Sequence, residues 1–348
     1  MNIGLEMEYW VVDEEGRLST SSELLDTHEC VTNEFVDSLI EIQLPPVESA
    51  SQLETVLGDV LSTVVETAAK HDRQLVPLGT PLTEHDLPII TDRGRVLEQL
   101  YGDDLIYAKN CAGTHVHFDK GHTLRQLNLL TALDPVLALV SSSPYYGRKR
   151  VASSSRSLMY RHQSDAVLER YRGLWAYADS LDSWNTRVTE AHDLFKQIAL
   201  NRGIDPETVD RHFHPENTVL TPVRLRKRTP TVEWRAPDVA LPSQIVDLVR
   251  DVHQVLLTTE THPVVVGIPG RRSNEIGIPS FAELRGLTAA AIVDGLDSDR
   301  VCHYLSKMGF NPSAYTPISS RIRGPYEISP ETAREIRLQY ATELNNDL

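Results

Sequence analysis

Four short segments of this chain place ionisable residues at strand spacing among apolar neighbours. They are GLEMEY (Glu6, Glu8), DSLIEI (Asp37, Glu41), GTHVHF (His115, His117) and TVEWRAPD (Glu233, Arg235). In an extended strand, residues i and i+2 point to the same face. Each segment therefore predicts a β-strand with one ionisable and one apolar face, and Glu34 lies just ahead of the second. The four are scattered along the chain, with no steady strand–helix alternation and no Gly-rich strand-to-helix turns between them. That pattern predicts an α+β fold: a mainly antiparallel sheet with helices packed outside it.

Between these segments the chain reads as follows. Residues 36–42 predict a strand closed by Pro45-Pro46. Leu53, Val56, Leu57, Val60, Leu61, Val64, Val65 and Ala68 recur at helical spacing, with Ser49 or Ser51 as the cap. QLVPLGTP predicts a short strand, and LRQLNLLTALDPVLALVSSSP a largely apolar helix interrupted by its proline. SSSPYYGRKRVASSSRS reads as a long loop, residues 165–201 as helical, SQIVDLVRDVHQVLL as a helix, and residues 280–345 as mostly helical and more polar. No linker divides the chain. The expectation is one catalytic domain over 1–348, with core motifs in 2–260 and a helical C-terminal portion.

The formal charge is −15 over 348 residues, and only 7 of the 34 basic residues are lysines. Such a surface repels nucleic acid and anionic membranes. A lysine-poor acidic surface suits a salt-rich cytoplasm, and equally an ordinary acidic cytosolic protein. No apolar run reaches membrane-spanning length. The opening MNIGLEMEYWVVD lacks the features of a signal peptide, so a cytoplasmic location is expected. Three widely spaced cysteines, Cys30, Cys111 and Cys302, argue against a disulfide framework or a cysteine-based zinc site.

A solvated antiparallel face accounts for any one of the four segments taken singly. Taken together, their ionisable faces offer carboxylates and imidazoles, the ligands of hard to borderline divalent cations. Two carboxylates ~4 Å apart repel by about 4 kcal/mol at an effective dielectric near 20, a cost that bound cations remove. The number of carboxylates suits two or three Mg2+ or Mn2+ ions, and such clusters hold nucleoside triphosphates. The chain has no P-loop and no G-x-S-x-G elbow. For anions it offers Arg148, Lys149, Arg150 and Arg156 among seven serines, and RLRKR at 224–228.

In order and spacing, GLEME, DSLIEI, GTHVHF, SSSPYYG…SSSR and TVEWRAPD resemble the carboxylate–amine ligases of the glutamate–cysteine ligase type 2 family, over most of residues 2–260. The resemblance implies a glutamine-synthetase-like fold whose curved antiparallel sheet forms a funnel. It implies ATP with Mg2+ or Mn2+, held by Glu6, Glu8, Glu34, Glu41, His115 and Glu233, with Glu34 standing where relatives often carry aspartate. It makes Arg156 and Arg235 the catalytic arginines, neutralising the phosphoryl group in transfer or orienting the acceptor carboxylate. His117, Arg148 and Arg150 are then expected to contact nucleotide or substrate.

The implied reaction phosphorylates the side-chain carboxylate of L-glutamate, and L-cysteine then displaces phosphate from the γ-glutamyl phosphate to give γ-glutamylcysteine. The expected partners are these small molecules alone, and a homo-oligomer is compatible with the sequence. A different amine substrate, a metal-dependent hydrolase using His115 and His117, and a nucleotide sensor remain the alternatives.

Overall fold

The computed structural model describes residues 1–162 and 166–348. Its strands are β1 (Ile3–Asp13), β2 (Val31–Asn33), β3 (Leu39–Val47), β4 (Arg73–Val76), β5 (Thr114–Asp119), β6 (Tyr145–Tyr146), β7 (Lys149–Arg150), β8 (Val223–Leu225), β9 (Thr231–Trp234), β10 (Val264–Val266), β11 (Gly270–Arg271) and β12 (Ile276–Ile278). Its α-helices are α1 (Ala50–Lys70), α2 (Asp92–Tyr101), α3 (Leu105–Lys109), α4 (Thr123–Ala132), α5 (Ser155–Arg161), α6 (Ala166–Arg172), α7 (Leu181–Asn201), α8 (Pro206–His212), α9 (Pro215–Thr218), α10 (Pro242–Leu257), α11 (Phe281–Val293), α12 (Asp299–Met308), α13 (Ile318–Arg321) and α14 (Pro330–Asp347).

The main sheet runs β2-β3-β1-β5-β9-β8, with β4 paired to the far end of β1, and every pairing in it is antiparallel. This is the α+β architecture the sequence predicts. The alternating apolar positions Leu5, Met7, Tyr9, Ile40, Ile42, Val116, Phe118, Val232 and Trp234 are all buried. They belong to a core completed by α1, α4, α10 and α14. Each large aliphatic side chain buried there contributes about 1.5–3 kcal/mol. Helix α1 presents Leu53, Leu57, Val60, Leu61, Val64 and Ala68 to this core, and Ser49 caps it by accepting from the Gln52 N–H.

A second apolar cluster joins Leu97, Leu100 and Tyr101 of α2, Leu105 of α3, Tyr171 of α6, and Phe195 of α7 to Phe213. Leu97 and Leu105 from this cluster line the same cavity as Glu6 and Glu8. The ionisable face of the sheet is thus roofed by a separate set of helices.

Several local expectations are corrected. Strand β3 continues through Pro45-Pro46 to Val47, because the prolines lie at a register shift between Ile3 and Leu5 where ladder donors are not required. Asp37 precedes that strand and accepts from Thr20 Oγ1 (3.0 Å), so it does not share the face of Glu41.

The serine-rich stretch is no loose loop. It folds into the β6–β7 hairpin, whose turn residues Gly147 and Arg148 both have positive φ, and then into α5, capped by Ser154. The expected helix over 165–201 breaks into α6 and α7 around Gly173, with a Ser180–Ser183 capping box restarting it. Residue 165 lies outside the described residues. The proline-bearing apolar stretch is α4 followed by a 3-10 turn at Asp134–Leu139. The helical C-terminal portion is present as α11–α14. Among the described residues, no helix is long and apolar enough to cross a membrane.

Candidate active site

Register builds the site. Glu8 on β1 lies opposite Glu41 on β3, and Glu6 lies opposite Gln43 on β3 and His115 on β5. His117 lies opposite Glu233 on β9, which in turn lies opposite Arg224 on β8. Because i and i+2 share a face, Glu6, Glu8, Glu41, Gln43, His115, His117, Glu233 and Arg224 all stand on the side away from the main core. With the roof, Glu6, Glu8, Glu41, Gln43, His115 and Arg224 enclose a cavity of about 250 Å3, also lined by Glu34, Arg93, Cys111, Arg156, Tyr160, Arg172, Arg226 and Arg235.

One half of the cavity is anionic. His115 Nδ1 is 3.1 Å from Glu6 Oε2 and 4.0 Å from Glu41 Oε1, and its Nε2 is 3.8 Å from Glu8 Oε1. Burial, reinforced by Arg235, pushes the His115 pKa down to about 3, so the imidazole is neutral and Nε2 is buried without a hydrogen bond. Burial, with the charge of Glu34, pushes Glu8 up to about 8, although Arg156 and the Gly113 N–H (2.6 Å) favour its ionised form. Glu41 is raised well above the carboxylate range by burial and by Glu34, Glu6 and Glu8, and Glu34 is raised by burial.

Ligand atoms of Glu6, Glu41 and His115 lie within 4.8 Å of one another, as do those of Glu8, Glu34 and Glu41, and those of Glu6, His117 and Glu233. A neutral histidine with an orphaned nitrogen, beside carboxylates that repel one another, is a donor set suited to divalent cations.

The other half is cationic. Glu233 accepts from Arg224 Nε (2.6 Å) and Nη2 (2.9 Å), Arg226 Nη1 (3.2 Å) and Arg235 Nη1 (2.6 Å). Burial opposes ionisation of Glu233, yet the charges of Arg224 and Arg235 hold its pKa well below the ordinary range. Both its oxygens are therefore already engaged, which separates it from the freer carboxylates of β1 and β3. His117 Nδ1 contacts Thr231 Oγ1 (3.0 Å), and its Nε2 lies 3.2 Å from Glu6 Oε1 without forming a hydrogen bond.

Arg156 is held from beneath. Its Nη1 donates to the carbonyls of Arg235 (3.1 Å) and Ala236 (3.2 Å), and its Nε is free of hydrogen bonds. Buried Asp238 ties the two serine runs together through Ser142 N–H (3.0 Å) and Ser154 Oγ (3.0 Å), while Ser142 and Ser143 hydroxyls accept from Gly79 and Thr80. This network seats the start of α5, from which Arg156 projects. Ser142, Ser143 and Ser154 are buried while they serve backbone amides and Asp238 rather than solvent. Cys111 is packed beside Arg156 as a neutral thiol, its pKa pushed up to about 12 by burial.

The cavity thus gathers Glu6, Glu8, Glu34, Glu41, His115, Arg156 and Arg235, with Glu233 and His117 bordering it. Arg148 and Arg150 are not among the residues that line it. Arg148 pairs with Glu327 (3.0 Å), and Arg150 lies over the Tyr145 ring and donates to the Ile322 carbonyl (2.8 Å). The hairpin turn directs both away, so the structure does not bring them together with the other expected site residues.

Sequence reasoning missed Arg93, Tyr160 and Arg172. Arg172 is 1% exposed, lies over the Tyr101 ring at 4.4 Å, and leaves Nε and Nη1 without hydrogen bonds. Arg224 and Arg226 were visible as alternate members of RLRKR. Arg93 and Arg172 sit on helices and carry no strand-spacing signal.

The family model of glutamate–cysteine ligase family 2 (GCS2) matches residues 2–272. The chain is 28% identical over 254 residues to a Rhodococcus jostii (strain RHA1) protein named "Putative glutamate–cysteine ligase 2-1", covering 69% of this chain and 63% of that protein. The chain thus spans less than two thirds of that relative's length. Among solved structures, it superposes on the glutamate–cysteine ligase of Francisella tularensis in complex with AMP, with TM-score 0.60 and 16% identity, covering 99% of this chain and 88% of that one. It also superposes on a bifunctional glutathione synthetase from Pasteurella multocida, with TM-score 0.53 and 14% identity, covering 99% of this chain and 52% of that one. These two likenesses show a shared fold.

Proposed function

The chain belongs to glutamate–cysteine ligase family 2, and from that membership we propose that it is an ATP-dependent ligase joining the γ-carboxylate of L-glutamate to the amine of L-cysteine. The observation that carries this reading is the division of one buried cavity into a carboxylate–histidine half and an arginine half. Carboxylate activation by ATP brings several negative charges together, and a pre-organised set of cations and cation ligands is what that step requires. AMP in the Francisella tularensis structure supports a nucleotide in a cavity of this fold.

On this reading Glu6, Glu8, Glu34, Glu41 and His115 hold two or three Mg2+ or Mn2+ ions. Bound there, the ions offset the charge of the triphosphate and of the acceptor carboxylate. Glu233 reaches a cation with Glu6 and His117 only by loosening an arginine. Its main part is to hold Arg224, Arg226 and Arg235 in place. Arg156 and Arg235 neutralise the phosphoryl group in transfer. His117 lies between the two halves and contacts nucleotide or substrate. Roofing helices exclude water, which protects an acyl phosphate from hydrolysis.

The substrates are small molecules: L-glutamate, L-cysteine and ATP. A thiol product made in a salt-rich cytoplasm is the setting we propose, in keeping with the lysine-poor acidic composition. A metal-dependent hydrolase is not favoured, since the family is one of ligases.

The test is ADP release and product mass with ATP, Mg2+ or Mn2+, L-glutamate and a panel of amino acids, at low and high salt. Glutamate-dependent ADP release that requires cysteine, with γ-glutamylcysteine as product, is expected. Release with another amine changes the acceptor, and absence of glutamate-dependent release with every amine overturns the reading.

A further inference from the structure

A second cavity, of about 430 Å3, opens between the 17–20 turn after β1, the 83–88 segment and the start of α14. It shares no lining residue with the candidate active site. Three arginines line it: Arg17, Arg334 and Arg337. Arg17 and Arg334 have acidic partners, Glu15 and Asp13 for the first and Glu331 for the second.

Arg337 has none. It is 3% exposed, makes no salt bridge among the described residues, and its Nε is buried without a hydrogen bond. Its Nη1 makes only long contacts, 3.3 Å to the Pro81 carbonyl and 3.4 Å to Thr83 Oγ1. Buried Arg224, by contrast, meets Glu233, whereas Arg156 and Arg172, buried and likewise without a salt bridge among the described residues, line the candidate active site. A buried guanidinium that no carboxylate contacts is costly. Burial, with Arg334 beside it, lowers the Arg337 pKa to about 10, although Asp13, which pairs with Arg17 and not with Arg337, favours its charged form.

The surroundings favour an anion. Pro330, Arg334 and Arg337 lie along one side of the first half of the 18-residue α14, with Pro330 in its first turn. Ser19, Thr20, Ser38 and Thr83 add hydroxyls. Asp37 on the wall works against an anion, so the head group must sit toward Arg337 and away from Asp37, which Thr20 Oγ1 holds in place. Leu18, Leu87 and Pro88 form an apolar side, and the volume falls in the range of small-molecule sites.

We propose that this cavity is a second ligand site for a small molecule with an oxyanion head group, phosphate or carboxylate. The head group sits on the unpaired guanidinium of Arg337, with Arg17 and Arg334 at the mouth and the apolar body against Leu18, Leu87 and Pro88. The site stands apart from the ligase reading and does not depend on it.

The test is calorimetric titration of the full chain with inorganic phosphate, and acetate as competitor, together with anomalous diffraction from crystals grown in selenate. Wild type is expected to bind phosphate at a site that Arg337→Met abolishes and Arg334→Ala weakens at least fivefold, whereas Arg235→Met, which alters the active site, leaves it in place. Displacement by acetate extends the head group to carboxylates, and no displacement restricts it to phosphates. A folded Arg337→Met with unchanged phosphate binding overturns the proposal. If that variant does not fold, unchanged binding in Arg334→Ala together with no selenate at Arg337 does the same.

Discussion

Arg224 on β8 and Glu233 on β9 face each other across one rung of the sheet and form a two-pronged pair, Nε to Oε2 at 2.6 Å and Nη2 to Oε1 at 2.9 Å, with both side chains buried. Arg226 and Arg235 close on the same carboxylate. Such charge-assisted forks fix geometry as much as they add energy.

Glu233→Gln therefore strands buried arginines. It is expected to cost about 3–5 kcal/mol of stability, read as a lowered urea midpoint, in addition to loss of turnover. An unchanged midpoint would show that the arginines find other partners without cost.

Glu41→Gln should act in the opposite sense on the metal-free protein. Removing one of several buried, mutually repelling carboxylates raises the midpoint without added metal, and it weakens stabilisation by Mg2+ or Mn2+ by at least tenfold in apparent affinity. Thermal melts with and without Mn2+ decide it. A variant that is less stable without metal and equally stabilised by Mn2+ contradicts the donor set.

Glu8 predicts a pH dependence. Its folded-state pKa is raised from 4.5 to about 8, so between those values the folded protein binds more protons than the unfolded chain. Stability of the metal-free protein contributed by this group is full below about pH 4.5 and is lost as pH rises toward 8. Mn2+ displaces the proton, so its stabilising effect should grow over the same interval. Melting temperatures at pH 5, 6.5 and 8 measure both trends, and a Mn2+ effect that shrinks as pH rises would contradict them.

Gly113 is a packing requirement. A Cβ at this position would collide with the Arg156 guanidinium, and the Gly113 N–H is the donor to Glu8. Gly113→Ala should displace Arg156 and lower turnover by about 100-fold, the scale of an ångström-level misplacement, while the folded spectrum persists. Near-normal turnover would remove Arg156 from the reaction.

Arg172 is buried, lines the cavity, and leaves Nε and Nη1 without hydrogen bonds. Arg172→Met keeps the packing on Tyr101 and removes the charge. The expected result is a raised KM for the carboxylate substrate, by at least tenfold, with a smaller change in KM for ATP. Equal changes in both would mean that the arginine shapes the cavity rather than holding the acceptor.

Legibility in the sequence followed locality. The i, i+2 pairs of β1, β5 and β9 could be read directly, because face alternation is a property of the strand backbone alone. The helix of α1 was readable from its stripe, and its cap resolved to Ser49. The serine-rich segment was misread as a loop because serines signal solvent. Here Ser142, Ser143 and Ser154 are engaged by Asp238 and by the Gly79 and Thr80 amides, partners remote in the chain. The same segment carries Arg148 and Arg150, which the left-handed turn at Gly147 and Arg148 directs to Glu327 and Ile322 rather than into the carboxylate cavity.

By itself the sequence determined which strands have an ionisable face, that the sheet is antiparallel with helices outside it, and which carboxylates and imidazoles are available. Tertiary structure alone decided that Glu6 meets His115 across 109 residues, that Glu233 is spent on arginines, and that Arg93 and Arg172 descend from the roofing helices. The reason is physical. Side-chain direction is set within a few residues of backbone, whereas the choice of neighbours is set by burial of two apolar clusters that draw on distant parts of the chain.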